Sequence, residues 1–121
     1  MRHELTLNGY QDSTDETAIY PGRGTVAGLI YVALGLGEVG EIQGKVKKIL
    51  RDNGISWDTQ TDDLPDEILL TLEKELGDAL WYVARFAREL NRSLSFIGQA
   101  NLDKLADRAD RGVLQGSGDD R

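Results

Sequence analysis

Residues 69–90 read LLTLEKELGDALWYVARFAREL, and this stretch decides the fold. Leu69, Leu72, Leu76, Leu80, Val83, Phe86 and Leu90 recur at steps of three and four, the period of an amphipathic α-helix with one apolar stripe. Asp63 stands upstream as a candidate cap. Further out, Val39, Ile42, Val46 and Ile49 repeat the period, which predicts a helix from about Thr25, its cap, to Asp52, with Asn53-Gly54 as the stop. Ser93 is placed to cap a third helix running to about Arg111. Residues 55–63, polar apart from Ile55 and Trp57, read as a loop. A short helix is expected within residues 5–17, and Pro21-Gly22-Arg23-Gly24 then breaks the chain. With no hairpin signal, the expected class is all-α, an antiparallel helical bundle.

A length of 121 residues fits one domain, with residues 112–121 as a Gly-rich flexible tail. The 14 basic and 21 acidic residues leave a net charge of −7, which argues against a surface that wraps nucleic acid. A polyanion bound here has to be small, or held through metal. The absence of Cys excludes a disulfide framework, thiolate-ligated zinc and a thiol nucleophile. The single histidine, His3, sits near the terminus and is a poor catalyst candidate. The apolar run at residues 29–34 falls far short of the roughly 20 residues of a membrane span, and no leader-like segment is recognised, so the expectation is a cytoplasmic protein with no membrane contact.

The chemistry sits in a local repeat. Glu38-Val39-Gly40-Glu41-Ile42 and Glu75-Leu76-Gly77-Asp78-Ala79 share the form Glu, apolar, Gly, acid, apolar, once on each long helix. Carboxylates three apart on a helix share one face, so each pair is able to grip a cation, and two packed helices would line one edge of their seam with four acids. All-oxygen ligation suits Mg²⁺ or Mn²⁺. The bland reading, four solvated surface acids, is weakened by Gly40 and Gly77, which each cost about 1 kcal/mol against Ala in a helix and suggest close backbone approach or ligand access. Lys45 and Lys48 continue the stripe of Glu38 and Glu41, and Lys45 is also spaced to pair with Glu41. Asn101, Lys104, Arg108 and Arg111 repeat the 3, 4, 3 spacing as a cationic face suited to phosphate oxygens, or to offsetting Asp103, Asp107 and Asp110.

Two other patterns are set aside. Gly35, Gly37 and Gly40 spell G-x-G-x-x-G, but Glu38 would put negative charge in a phosphate loop and no second strand follows. A di-iron bundle lacks its Glu-x-x-His motifs, since His3 is the only histidine. Trp81 lies off the main stripe and reads as a subunit contact or as a second core contact. Trp57 reads as an anchor pinning the loop to the core, or as a cover over a base.

Taken together, Leu36 to Glu41, Lys45 to Lys48, Lys74 to Trp81, and Asn101 to Leu105 with Arg108, Arg111 and Gly112 resemble the MazG-like all-α nucleoside triphosphate pyrophosphohydrolases. The resemblance implies Mg²⁺-dependent hydrolysis of a nucleoside triphosphate to monophosphate and pyrophosphate, as nucleotide-pool housecleaning, on a helical bundle assembled as a homodimer or homotetramer. It implies that Glu38, Glu41, Glu75 and Asp78 ligate the metal, with one of them orienting or deprotonating the attacking water. It places Lys45, Lys48, Lys104 and Arg108 on phosphates and Asn101 near the metal or nucleotide, while Arg111 extends the cationic face. The 33 residues between Glu41 and Glu75 exceed the usual family separation, so the base pocket is the least transferable feature. Gly116 to Asp119 with Arg121 would close over substrate or, more simply, form an untethered end. The alternative from another class is a silent metal- or nucleotide-binding helical scaffold or regulatory module.

Overall fold

The computed structural model describes residues 4–113. His3 and the tail beyond Val113 lie outside the described residues. Within them every regular element is helical, as expected: α1 (Leu7–Ser13), a 3₁₀ turn (Thr14–Thr17), α2 (Val26–Val39), α3 (Ile42–Asp52), a second 3₁₀ turn (Thr61–Asp63), α4 (Asp66–Glu89) and α5 (Leu94–Asp110). The helices gather as a bundle around α4. Helix α2 lies along it, while α1, α3 and α5 each meet it.

The expected helix from Thr25 to Asp52 is two helices. Gly35, Gly37, Gly40 and Gly44 crowd its middle, each weakening a helix by about 1 kcal/mol against Ala, and the chain turns at Gly40 and Glu41. Asp63 also does not cap α4. Proline disfavours helical backbone in the residue before it, so Leu64 is extended at ψ 142° and Pro65 takes the N-cap position. Asp66 and Glu67 then set two acids in the first turn, where the helix dipole favours them. Thr25 does precede α2, but its hydroxyl donates to the Gly22 carbonyl instead of capping. Ser93 caps α5 as expected, accepting from the Phe96 N–H at 3.1 Å, and Asn53-Gly54 ends α3.

The core is small. Val32 and Ala84 are fully buried, and Ala18, Tyr20, Ala87 and Leu94 nearly so, with Trp81, Tyr82, Phe86 and Tyr10 packed against them. Gly35 permits the α2–α4 contact, because a Cβ there would strike the Tyr82 ring. That contact, inside a helix, also disposes of the G-x-G-x-x-G pattern as a phosphate loop. Arg23, in the break before α2, reaches back to Asp15 at 3.0 Å.

The stripe that decided the fold is largely uncovered within one chain. Leu76, Leu80, Val83 and Leu90 are exposed, and the side of α4 facing α2 and the N-terminal segment carries Trp81, Tyr82 and Arg85 instead. Helix α2 shows the same one-sidedness, with Val26, Ile30 and Leu34 exposed. Val26–Asp52 contains a stretch long and apolar enough, by length and composition alone, to cross a membrane. The turn at Gly40, the charges of Glu38 and Glu41 and the packing of α2 on α4 suit a helix of a bundle better.

Candidate active site

The turn between α2 and α3 places the four acids on three elements. Glu38 closes α2, Glu41 is the N-cap residue of α3, and Glu75 and Asp78 lie one turn apart on α4. Glu75 and Asp78 thus sit one turn apart within a single helix, whereas Glu38 and Glu41 lie on either side of a turn in which the Glu41 N–H donates to the Glu38 carbonyl at 3.3 Å. Glu75 is half-buried and the other three are exposed.

Lys45 Nζ bridges α3 to α4, sitting 3.1 Å from Glu75 Oε2; the i,i+4 partner Glu41 is not its contact. Glu41 instead lines a cavity of about 380 Å³ with Gln43, Gly44, Lys45 and Lys48. Oxygen-only side chains fit a hard divalent cation. Among the described residues, however, no three acidic or histidine side chains converge closely enough to hold one. Glu75 is engaged by Lys45 rather than free for a cation. The space above Gly77 is open, so its placement between acids reflects no close backbone approach.

Asp78 also opens onto a second cavity of about 540 Å³, lined by Thr17, Val39, Trp81 and Tyr82. Trp81 packs edge-on against Tyr82 at 5.1 Å and Tyr20 at 6.3 Å between centroids, and its indole N–H donates to Thr17 Oγ1 at 2.8 Å. Of the two readings of Trp81, the second core contact is the one seen. Trp57 is 89% exposed, so it is not the loop anchor; the loop is held by its own hydrogen bonds, among them Ser56 to Asp58.

Behind this cavity lies a polar cluster that the periodicity did not flag. Arg85 is wholly buried and donates to Asp15, Thr14 Oγ1 and the Tyr20 hydroxyl, while Tyr20 donates to Glu89. The Arg85 hydrogen bond holds the Asp15 carboxyl below the ordinary carboxylate range, helped by the charges of Arg88, Arg85 and Arg23. Burial, then the hydrogen bond to Glu89, pushes the Tyr20 phenol up. Gln11, also buried, donates to the Ala84 and Arg92 carbonyls and accepts from the Leu94 N–H. The one available signal was an arginine four residues from Trp81, on the face opposite the stripe.

The cationic face of α5 is not uniform. Asn101 and Lys104 are exposed, Arg108 is 4% exposed, and Arg111 pairs with Asp107 at 2.8 Å. Helix α5 meets α1 and, through Leu94, the Ala84–Ala87 region of α4, but no comparable contact joins it to α2 or α3. Within the chain, Lys45 pairs with Glu75.

Comparison with known proteins bears on this layout. Residues 29–112 match the MazG nucleotide pyrophosphohydrolase domain. The chain is 51% identical over 117 residues to "Gene 37 protein" of Mycobacterium phage L5, covering 93% of this chain and 96% of that protein. No solved structure matches.

Proposed function

The chain belongs to the MazG nucleotide pyrophosphohydrolase family, and from that premise we propose that it hydrolyses a nucleoside triphosphate, ribo- or deoxyribo-, to the monophosphate and pyrophosphate, with Mg²⁺ or alternatively Mn²⁺, in cytoplasmic nucleotide-pool housecleaning. The observation that carries this reading is the order of groups along α4: Lys45 meets Glu75, Asp78 follows one turn on, and Asp78 opens onto an aromatic-walled cavity. Cation, carboxylate and aromatic surface are what phosphate, metal and base require.

When bound, the divalent cation neutralises triphosphate charge and lowers the pKa of a coordinated water. Glu38, Glu41, Glu75 and Asp78 supply the oxygens that would hold it, and one of these carboxylates orients the water or takes its proton. Lys45 and Lys48 hold phosphate oxygens and stabilise charge on the departing pyrophosphate. Asn101, Lys104, Arg108 and Arg111 add substrate contacts from α5 of this or a neighbouring copy. With no thiol, and His3 as the only imidazole, this route requires no protein nucleophile.

We assign the chain to one domain, because Ala18 and Tyr20, ahead of the family match, share a core with Val32. We also assign it to a homodimer or homotetramer. Leu36, Val83, Phe86, Leu90 and Ile97 line an apolar groove that a second copy would cover.

Purified protein with Mg²⁺ should release pyrophosphate from at least one common ribo- or deoxyribonucleoside triphosphate, and Glu41→Gln should abolish release while keeping fold and nucleotide binding. Release from none overturns the reaction. It would favour the silent binding module, a reading that the unconverged carboxylates support.

A further inference from the structure

We propose that Thr17 and Trp81 form the wall that reads the nucleobase edge, and that this wall favours bases with an exocyclic amino group, adenine, cytosine or guanine, over uracil and thymine. The inference rests on the nucleotide-binding reading above and deepens it. A cavity of about 540 Å³ lies within the range of small-molecule sites. Trp81 and Tyr82 give it aromatic surface on which a base stacks, and Val39 adds an apolar side.

The polar character of the wall follows from counting hydrogens. A threonine hydroxyl has one hydrogen and two lone pairs. Thr17 gives its hydrogen to the Thr14 carbonyl at 3.2 Å and accepts the Trp81 indole N–H at 2.8 Å. One acceptor lone pair remains, and the indole donor is already used. Asp78, on the same cavity, adds carboxylate oxygens, which also accept. Tyr82 contributes its ring, which packs against α2 at Gly35. An amino N–H therefore finds a partner at the Thr17 edge, whereas a uracil or thymine carbonyl in that position sets oxygen against oxygen.

The wall is rigid enough to discriminate, since Trp81 is held by Tyr20, Tyr82 and Thr17 at once. It also has the right place in the site. Trp81, Asp78 and Glu75 follow at three-residue steps, so about 9 Å along α4 separates the base wall from the Glu75–Lys45 end where phosphates belong. Thr17 precedes residue 29, so base choice would be set by a segment outside the matched family domain.

The test compares pyrophosphate release from CTP and UTP by the full chain and by Thr17→Val and Thr17→Ser. The wild type should prefer CTP. Thr17→Val should lower the CTP/UTP ratio of kcat/KM about 10-fold, equivalent to about 1.4 kcal/mol, and Thr17→Ser, which keeps the hydroxyl, should restore it. Hydrolysis with a UTP preference, or with a ratio that Thr17→Val leaves unchanged, overturns the inference and leaves the reaction standing. If the wild type releases no pyrophosphate, the reaction fails separately. Calorimetric binding of CMP and UMP to wild type and Thr17→Val then decides, with equal ratios overturning the inference and a Thr17-dependent ratio supporting it.

Discussion

Two charged clusters share helix α4 and are built differently. Around Arg85 the molecule is closed: a fully buried guanidinium, a nearly buried tyrosine and the buried Gln11 nearby are each matched with partners, and Arg88 Nε, 3.7 Å from Asp15, is the one buried side-chain polar atom without a hydrogen bond among the described residues. Around Glu75 it is open. Lys45 and Glu75 form a half-exposed pair, and Glu38, Glu41 and Asp78 face solvent or cavities. A buried charge without its partner is costly, so the first cluster is committed to the fold. An exposed pair contributes about 0–1 kcal/mol, so the second is free to exchange its partner for a ligand.

Breaking the closed cluster should have the largest effect. Arg85→Met keeps bulk but strips the Asp15 carboxylate and the Thr14 and Tyr20 hydroxyls of their shared donor. We expect a loss of about 3 kcal/mol and a fall in Tm of about 10 °C in thermal unfolding. A variant that melts like the wild type would mean that Arg85 holds nothing in place. At the open cluster the effect should move from stability to turnover. Glu75→Gln should change stability by less than about 1 kcal/mol, while pyrophosphate release falls about 100-fold, near 2.7 kcal/mol in barrier. Melting curves and initial rates on the same preparations check both halves, and a destabilised but active Glu75→Gln would reverse the assignment of the two clusters.

The same contrast explains what was legible in the sequence. Helix α4 was plain because apolar residues at steps of three and four need no knowledge of a partner, and the Ser93 cap is equally local. Which face of α4 its own chain covers was not legible: the regular stripe of Leu76, Leu80, Val83 and Leu90 is exposed, and an irregular face with Trp81 and Arg85 is packed. That outcome depends on the N-terminal segment, 65 to 70 residues away in the chain at the Arg85 contacts with Tyr20 and Asp15. The acids were found by a repeated motif, yet Glu38 and Glu41 fall on either side of a turn at Gly40 because four glycines outweigh the apolar period. Thr17 carries no motif and enters only through its hydrogen bond to Trp81.

The smallest expected effect sharpens the comparison through pH. Asp15 is held below the ordinary carboxylate range by Arg85, so the folded state binds its proton less readily than the unfolded chain does. Its contribution is fully present above the unfolded value of about 4 and is lost as pH falls through the lower folded value. Tyr20 works in the opposite direction: burial raises its phenol, so the folded state keeps a proton that the unfolded chain releases near pH 10, and stability falls as pH rises past that point. The closed cluster should therefore weaken at both extremes while the middle range stays flat. Asp15→Asn should flatten only the acid arm of a Tm–pH profile, and Tyr20→Phe only the alkaline arm. Profiles whose slopes are the same in wild type and Asp15→Asn would remove Asp15 from the closed cluster and leave Arg85 tied to the fold through Tyr20 and Thr14 alone.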